Sequence, residues 1–280
     1  MPIAERAASL TVSIVTYQPD RRLLRDSIRR LDQAIVYAKR NGVLETAQLF
    51  FVDNTPGQRG LPALQELLSE TSVYPDHVEL VCGHGNIGYG AGHNLAITRT
   101  ATHYHLILNP DVWLEESALS EAITFMATHP EVGLLTPAVV DQQGYRQFLC
   151  KRYPTVFDLL LRGFAPDLLK RRFNRRLDHY EMRDQIGDNV IWDIPLVSGC
   201  FMLFRHPLLT HIQGFSPAYF LYFEDFDISL RAAKHARIVY VPTVRIIHFG
   251  GQAARKGWLH ITLFFRSAVK FFNHYGWKWF

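Results

Sequence analysis

The chain has 280 residues, of which 48% are hydrophobic and 20% charged, an ordinary balance for a globular protein with ample material for a core and no sign of general disorder. Its three cysteines, Cys82, Cys150 and Cys200, are odd in number, far apart and without CxxC spacing, which argues for a reducing compartment and against a disulfide framework or a cysteine zinc site. The formal charge of +4 hides an asymmetry: the 53 residues after Asp227 carry nine Lys or Arg and no Asp or Glu, leaving 21 basic against 26 acidic residues before them. A cationic end implies an anionic partner, whether ligand phosphates, nucleic acid or lipid.

No apolar run approaches the length of a membrane span, and Met1–Ser9 has no signal-peptide core. A soluble or peripheral protein of the cytoplasm is expected. The first half alternates strands and helices. Residues 11–17 read as a buried strand, and Asp20 can cap a helix to about Arg40 with Leu23, Leu24, Ile28, Leu31, Ile35 and Ala38 on one face. Further strands are expected at 48–53, 78–82 and 105–108, with a helix from about Gly90 to Thr102. This alternation predicts an α/β fold built on a mostly parallel sheet flanked by helices, which binds its ligands at the carboxyl ends of the strands. Asp53, Asn54, the glycine loop 83–88 and Asp111 all fall at those ends.

Gly83-His84-Gly85-Asn86-Ile87-Gly88 fits GxGxxG between a strand and a helix, with Asp111 further on. The fingerprint normally opens the first strand–helix unit, whereas two strands precede it here. Nucleotide binding is therefore expected, but not a nicotinamide dinucleotide. Asn109-Pro110-Asp111 offers an amide oxygen and a carboxylate of the kind Mg²⁺ accepts beside phosphates, although Asn-Pro also begins ordinary turns. His248 ends an apolar strand before Gly250 and Gly251, a place where a phosphate can approach. No GxSxG elbow, P-loop or cysteine nucleophile is evident, and no nucleic-acid-binding module is recognisable.

From Val132 the strands become irregular, with apolar runs at 134–140 and 198–204. Residues 154–188 are basic and helical in character, with five basic residues in the seven from Lys170 to Arg176. Glu224-Asp225-Phe226-Asp227 crowds three acids after an aromatic run. Crowded acids raise one another's pKa and supply a general base, but acids also cap helix N-termini. Residues 255–280 interleave aromatics with cations, including Arg255 and Lys256, a composition suited to the headgroup region of an anionic membrane.

In chain order, Val12–Tyr17, Val52-Asp53-Asn54, Asn86–Asn94, Leu108–Val112, Ser198–Leu203, Phe223–Asp227 and His248–Gly251 resemble the motifs of family-two inverting glycosyltransferases with the GT-A fold. The similarity is greatest to the bacterial rhamnosyltransferase branch. The resemblance implies a Rossmann-like nucleotide-sugar-binding half at 1–150, a mixed acceptor-binding half at 151–254 and a basic aromatic tail at 255–280. It implies Thr16, Asp53, Asn54, Asn86, Gly88, Asn94 and Asn109 around the nucleotide sugar, with Asp111 and His248 at a Mg²⁺ or Mn²⁺ ion. Asn109 stands where the family's DxD motif has its first acid. Asp225 is implied as the catalytic base, with Glu224 and Asp227 positioning the acceptor or capping the helix. The implied substrates are dTDP-L-rhamnose, or alternatively a UDP-sugar, and a glycan or polyprenyl-linked acceptor of cell-surface polysaccharide or lipopolysaccharide synthesis. The implied location is the cytoplasmic face of the inner membrane. A non-catalytic nucleotide-sugar or membrane-binding module is the alternative of a different class.

Overall fold

The structure, a computed structural model, describes residues 7–58, 61–70, 76–250 and 257–280. β1 (Ala8–Thr16) leads into α1 (Arg21–Arg40), which starts where Asp20 accepts from the backbone N–H groups of Arg22 and Leu23. Leu24, Ile28, Leu31, Ile35 and Ala38 are buried along one face of α1, as their spacing predicts, while Leu23 stays partly exposed. β2 (Leu44–Asp53), α2 (Leu61–Glu70), β3 (His77–Val81), α3 (Tyr89–Ile97) and β4 (Tyr104–Leu108) complete the alternating half. α3 is shorter than its sequence suggests. It stops at Ile97, and the hydroxyls of Thr98 and Thr100 turn back onto the carbonyls of Asn94 and Ala96.

The second half runs through β5 (Val112–Leu114), α4 (Ala118–Thr128), β6 (Val132–Val140) and β7 (Arg146–Gln147). Three short helices follow: α5 (Val156–Phe164), α6 (Asp167–Arg172) and α7 (Asn174–Tyr180). Then come β8 (Ile191–Trp192), β9 (Phe201–Arg205), α8 (His206–His211), α9 (Glu224–Ala232), β10 (Arg237–His248) and α10 (Gly257–Tyr275). Arg255, Lys256 and Gly251 lie outside the described residues.

One sheet runs in the order β3-β2-β1-β4-β9-β6-β10-β5, with β7 beside β6 and β8 beside β10. The four strands from β3 to β4 are parallel, so Asp53 and the loop after β3 emerge on one edge with the end of β4. β9 then enters antiparallel to both β4 and β6. This reversal brings residues 199–200, at the start of β9, against Asn109, where β4 ends: the Asn109 N–H donates to the Cys200 carbonyl at 2.9 Å. The parallel half and the irregular half thus meet at the site. The main core follows α1, α4 and the strands, and a separate aromatic cluster joins Tyr180 and Leu159 to Phe223, Phe271 and Phe272 of α10.

Gly88 is the backbone contact on which the glycine loop turns. It has φ +94°, a Cβ there would overlap the carbonyl oxygen of Phe220, and that same carbonyl accepts from the Tyr89 N–H at 3.0 Å. Replacing Gly88 with Ala therefore combines left-handed strain with a backbone clash, and an unfolding free energy lower by about 1–3 kcal/mol is expected. Urea titration checks this, and an unchanged midpoint would show that the two segments do not pack at Gly88.

Candidate active site

At the end of β1 and β2, Asp53 is almost fully buried, and its Oδ1 accepts from Thr16 Oγ1 at 3.1 Å, Thr55 N at 3.1 Å and Thr55 Oγ1 at 2.7 Å. Its Oδ2 is buried with no partner. An ionisable oxygen left in that condition is costly and fits a ligand N–H. Asn54 is occupied differently: Nδ2 donates to the Gly88 carbonyl and Oδ1 faces His84 Nε2 at 2.9 Å, which ties β2 to the glycine loop. Asn86 accepts from the Gly88 N–H within the same loop. Asn94 grips the backbone of Phe215 twice, donating to its carbonyl and accepting from its N–H, each at 2.8 Å. The side chains of Asn54 and Asn94 are thus already committed to protein groups.

At the end of β4, Asn109 Oδ1 lies 3.0 Å from the Tyr89 hydroxyl, which is also 2.6 Å from the Gly199 carbonyl. Asp111 and His248 face each other, with His248 Nε2 3.7 Å from Asp111 Oδ1. The tautomer follows from Gln147. Its Nε2 donates to the His248 carbonyl at 2.9 Å, so its Oε1 is the atom 3.2 Å from His248 Nδ1, and Nδ1 carries the proton. Burial lowers the His248 pKa against the opposing pull of Asp111. A neutral ring then points a lone pair at a carboxylate, an arrangement a cation between them would relieve. One carboxylate and one imidazole fit a divalent ion that takes its other ligands from diphosphate or water. Among the described residues no group of three or more His, Cys, Asp and Glu side chains gathers for a metal. Gly250 serves the imidazole directly, since a Cβ there would overlap the His248 ring.

Asp225 opens α9 on a strained turn. Tyr222 and Phe223 have φ +69° and +66°, a left-handed pair costing roughly 1–2 kcal/mol per residue. Phe223 is held there by the rings of Phe226, Phe264 and Phe271. No side chain caps α9, whose N-cap is Phe223. Asp225 Oδ2 accepts from the Gly199 N–H at 3.2 Å and Oδ1 from the Phe226 N–H at 2.9 Å. Burial raises its pKa to about 6 against those bonds and the Arg162 charge. Burial, and then the charge of Asp225, raise Glu224 well above the usual carboxylate range, and its Oε2 is buried without a partner. Asp227 has a different task from the one expected. It is 3% exposed and accepts from Arg231 Nε and the Tyr275 hydroxyl, each at 2.8 Å, so it anchors α9 to α10 and does not cap the helix.

These pieces converge on Tyr89 and residues 199–200. Burial raises the Tyr89 hydroxyl pKa, and the charges of Glu224, Asp225 and Asp111 all add to the shift. Tyr89 and Gly199 have the roles that sequence reading missed. Both lie inside motifs already singled out, but nothing in their spacing marks a hydroxyl and a peptide group as the bridge.

No family model matches the chain. It is 24% identical to N-acetylglucosaminyl-diphospho-decaprenol L-rhamnosyltransferase of Mycobacterium tuberculosis, over 73% of this chain and 70% of that protein. It is also 24% identical to rhamnosyltransferase WbbL of Escherichia coli K12, over 59% of this chain and 62% of that one. In fold it is similar to mannosyltransferase PcManGT of Pyrobaculum calidifontis, solved with GDP-Man and Mn²⁺, at a TM-score of 0.59 and 16% identity, covering 95% of this chain and 65% of the other. GalNAc-T7, solved with UDP, GalNAc and Mn²⁺, gives a TM-score of 0.63 at 14% identity, covering 96% of this chain and 48% of the other.

Glu224 supplies a stability test. Its folded pKa lies above the ordinary 4.5, so between those values the folded state holds a proton that the unfolded state has released. Stability contributed by that proton is complete below about 4.5 and is lost as pH rises through the folded pKa. Glu224→Gln removes this loss, so its melting temperature is expected to exceed that of the wild type at pH 8, with the gap closing towards pH 4.5. A constant gap would show that Glu224 does not titrate in that window.

The sheet, its order and these relatives agree: the chain has the GT-A glycosyltransferase fold, with rhamnosyltransferases among its relatives.

Proposed function

We propose that the chain transfers a sugar, L-rhamnose from dTDP-L-rhamnose being the first candidate, by a single inverting displacement onto a glycan or lipid-linked acceptor of cell-surface polysaccharide synthesis. The observation that carries this reading is Asp225: a partly exposed carboxylate with a pKa of about 6, fixed by two backbone N–H groups beside Glu224, whose pKa burial and the Asp225 charge raise. Two adjacent acids with separated pKa values mark an acid–base assignment. Asp225 is largely ionised at neutral pH and can take the acceptor hydroxyl proton as that oxygen attacks the anomeric carbon. The bond from that carbon to the diphosphate oxygen breaks, and the nucleoside diphosphate leaves with the electron pair. No covalent intermediate is needed, so one base suffices.

On the donor side, the unpaired Oδ2 of Asp53 is the acceptor for a nucleobase N–H. Thymine and uracil both offer one, so this contact supports dTDP- and UDP-sugars alike. Thr16 and Asn54 fix Asp53 and the loop; Asn86, Gly88 and Asn94 shape the wall. Asp111 and His248 would hold Mg²⁺ or Mn²⁺, which when bound neutralises diphosphate charge. The relatives favour rhamnose: the mycobacterial protein is named for L-rhamnosyl transfer to a diphospho-decaprenol acceptor. Asp225→Asn should lower turnover by about 10²–10⁴-fold, the range for a general base, while leaving nucleotide affinity unchanged. In the wild type, kcat/KM should rise with pH to a plateau above about 6, because the base must be ionised. Unchanged turnover in Asp225→Asn, or a flat profile from pH 5 to 8, removes Asp225 as base.

A membrane surface completes the proposal. No described helix is long and apolar enough to cross a membrane. α10 nevertheless carries a second apolar stripe beside its buried one, formed by Trp258, Phe265 and Val269, all exposed. Phe164 of α5 stacks on Phe265 at 5.4 Å, extending the stripe to α5 and to Leu168 of α6, which is 80% exposed. Lys170, Arg171 and Arg172 occupy the last turn of α6. Apolar side chains flanked by cations suit an anionic bilayer on the cytoplasmic side. Full-length protein should sediment with phosphatidylglycerol-containing liposomes, and a Trp258→Ala, Phe265→Glu double variant should bind them at least fivefold less. Equal sedimentation of the two rules out this face.

A further inference from the structure

A cationic cluster beside the base has no part in the displacement. Glu181, just after α7, is buried and accepts from Lys151 Nζ at 3.0 Å, Arg162 Nε at 2.9 Å, and Arg183 Nε and Nη2 at 2.9 and 2.7 Å. Three cations therefore share one buried carboxylate. Arg183 reaches a second, Asp178, only at 3.4 Å and at the exposed surface. Neighbouring arginines are matched one to one: Arg152 with Asp184, Arg176 with Asp158 and Arg146 with Asp188. The surplus at Glu181 is local, and it is kept at a cost. Lys151 is 4% exposed, and burial and then the Arg162 charge depress its pKa to about 8. Like charges gathered around one buried carboxylate are unfavourable unless something anionic meets them.

The cluster also has a definite place. The Lys151 backbone exchanges hydrogen bonds with Leu196, three residues before the Gly199 N–H that holds Asp225. Tyr180, under the Lys151 ammonium, packs in the same aromatic cluster as Phe223, the residue that caps the helix of the base. The side chain of Arg162 is 51% exposed, although its Nε is bound to Glu181, and its charge acts on Asp225. None of the donor-pocket residues contributes to this set.

We propose that Lys151, Arg162 and Arg183 form an anion subsite for a diphosphate carried by the acceptor, with half-exposed Arg162 making the direct contact. Glu181 spaces the three cations, and the positive charge left over at the cluster suits a diphosphate. Guanidinium groups meet phosphate oxygens with paired N–H donors, so Arg162 suits this contact better than a lysine. The inference rests on the transferase reading for the identity of the ligand as acceptor. It requires only that the site bind a diphosphate independently of the donor nucleotide.

Isothermal titration of the full chain tests it, with farnesyl diphosphate as probe and saturating dTDP and Mg²⁺ filling the donor site. Farnesyl diphosphate should bind the wild type and at least tenfold more weakly to Arg162→Gln, with partial recovery in Arg162→Lys and unchanged dTDP affinity in all three. Arg183→Gln, at an exposed position, should lose severalfold and serves if Arg162→Gln does not fold. Farnesol should bind much more weakly than its diphosphate. Equal affinity of the wild type and both Gln variants for farnesyl diphosphate, or farnesol binding as tightly as the diphosphate, overturns the subsite. Failure of the wild type to bind any nucleoside diphosphate would instead sink the transferase reading, and the farnesyl diphosphate comparison would still stand.

Discussion

The peptide group of Gly199 is the interaction on which the rest of the site depends. Its N–H holds the Asp225 carboxylate, its carbonyl accepts from Tyr89, and the next carbonyl, of Cys200, receives the N–H of Asn109. Three segments far apart in sequence are fixed by the backbone of two consecutive residues: the glycine loop, the end of β4 and the start of α9. A side chain at 199 would crowd Tyr89, with contacts of 3.3 Å to its ring and hydroxyl, and would stand 3.6 Å from the Asp225 Cβ. The reversal of strand direction at β9 makes this possible. A parallel strand in that position would present its carboxyl end, and its N-terminal peptides would lie on the far edge of the sheet.

The aromatic cluster answers a second constraint. Two consecutive left-handed residues, neither of them glycine, precede Glu224 and would relax in a loosely packed loop. Phe223 is 4% exposed, and Phe271 beside it is fully buried, so the turn cannot relax without opening that cluster. The Asp227–Arg231 and Asp227–Tyr275 bonds clamp the same helix from its other side. α10 therefore does two jobs with two faces. The inner face locks the turn that aims Asp225, and the outer stripe is left apolar.

The alternating half was legible because each of its signals is local. A capping Asp, a helical stripe and short β-branched strands ending in polar residues predicted β1, α1, β2 and β4 to within a few residues. The α3 boundary failed because helix propensity continues past Ile97, whereas Thr98 and Thr100 bond back onto the last turn. The acids at 224–227 were readable as a cluster but not as individuals. Capping and catalysis ask for the same residue types, and only tertiary partners separate Asp227, bound to Arg231 and Tyr275, from Asp225, bound to Gly199. Tyr89 and Gly199 were illegible for the same reason: their partners lie 20 and 26 residues away or more, and Glu181 draws Lys151 from 30 residues away.

Unequal solvation turns these contacts into chemistry. Glu224 and Asp225 are sequence neighbours with the same elementary charge, yet two backbone N–H groups stabilise the ionised form of one and leave the other with an unpaired oxygen. Their mutual repulsion then separates the two, since the charge of Asp225 once ionised holds the Glu224 proton more tightly. Asp111 and His248 show the same logic in reverse. Gln147 fixes the ring proton on Nδ1, so the lone pair on Nε2 faces the Asp111 carboxylate. In each pair the protein has satisfied one partner with backbone or amide groups and left the other short of them, which keeps an atom of each pair open to a ligand.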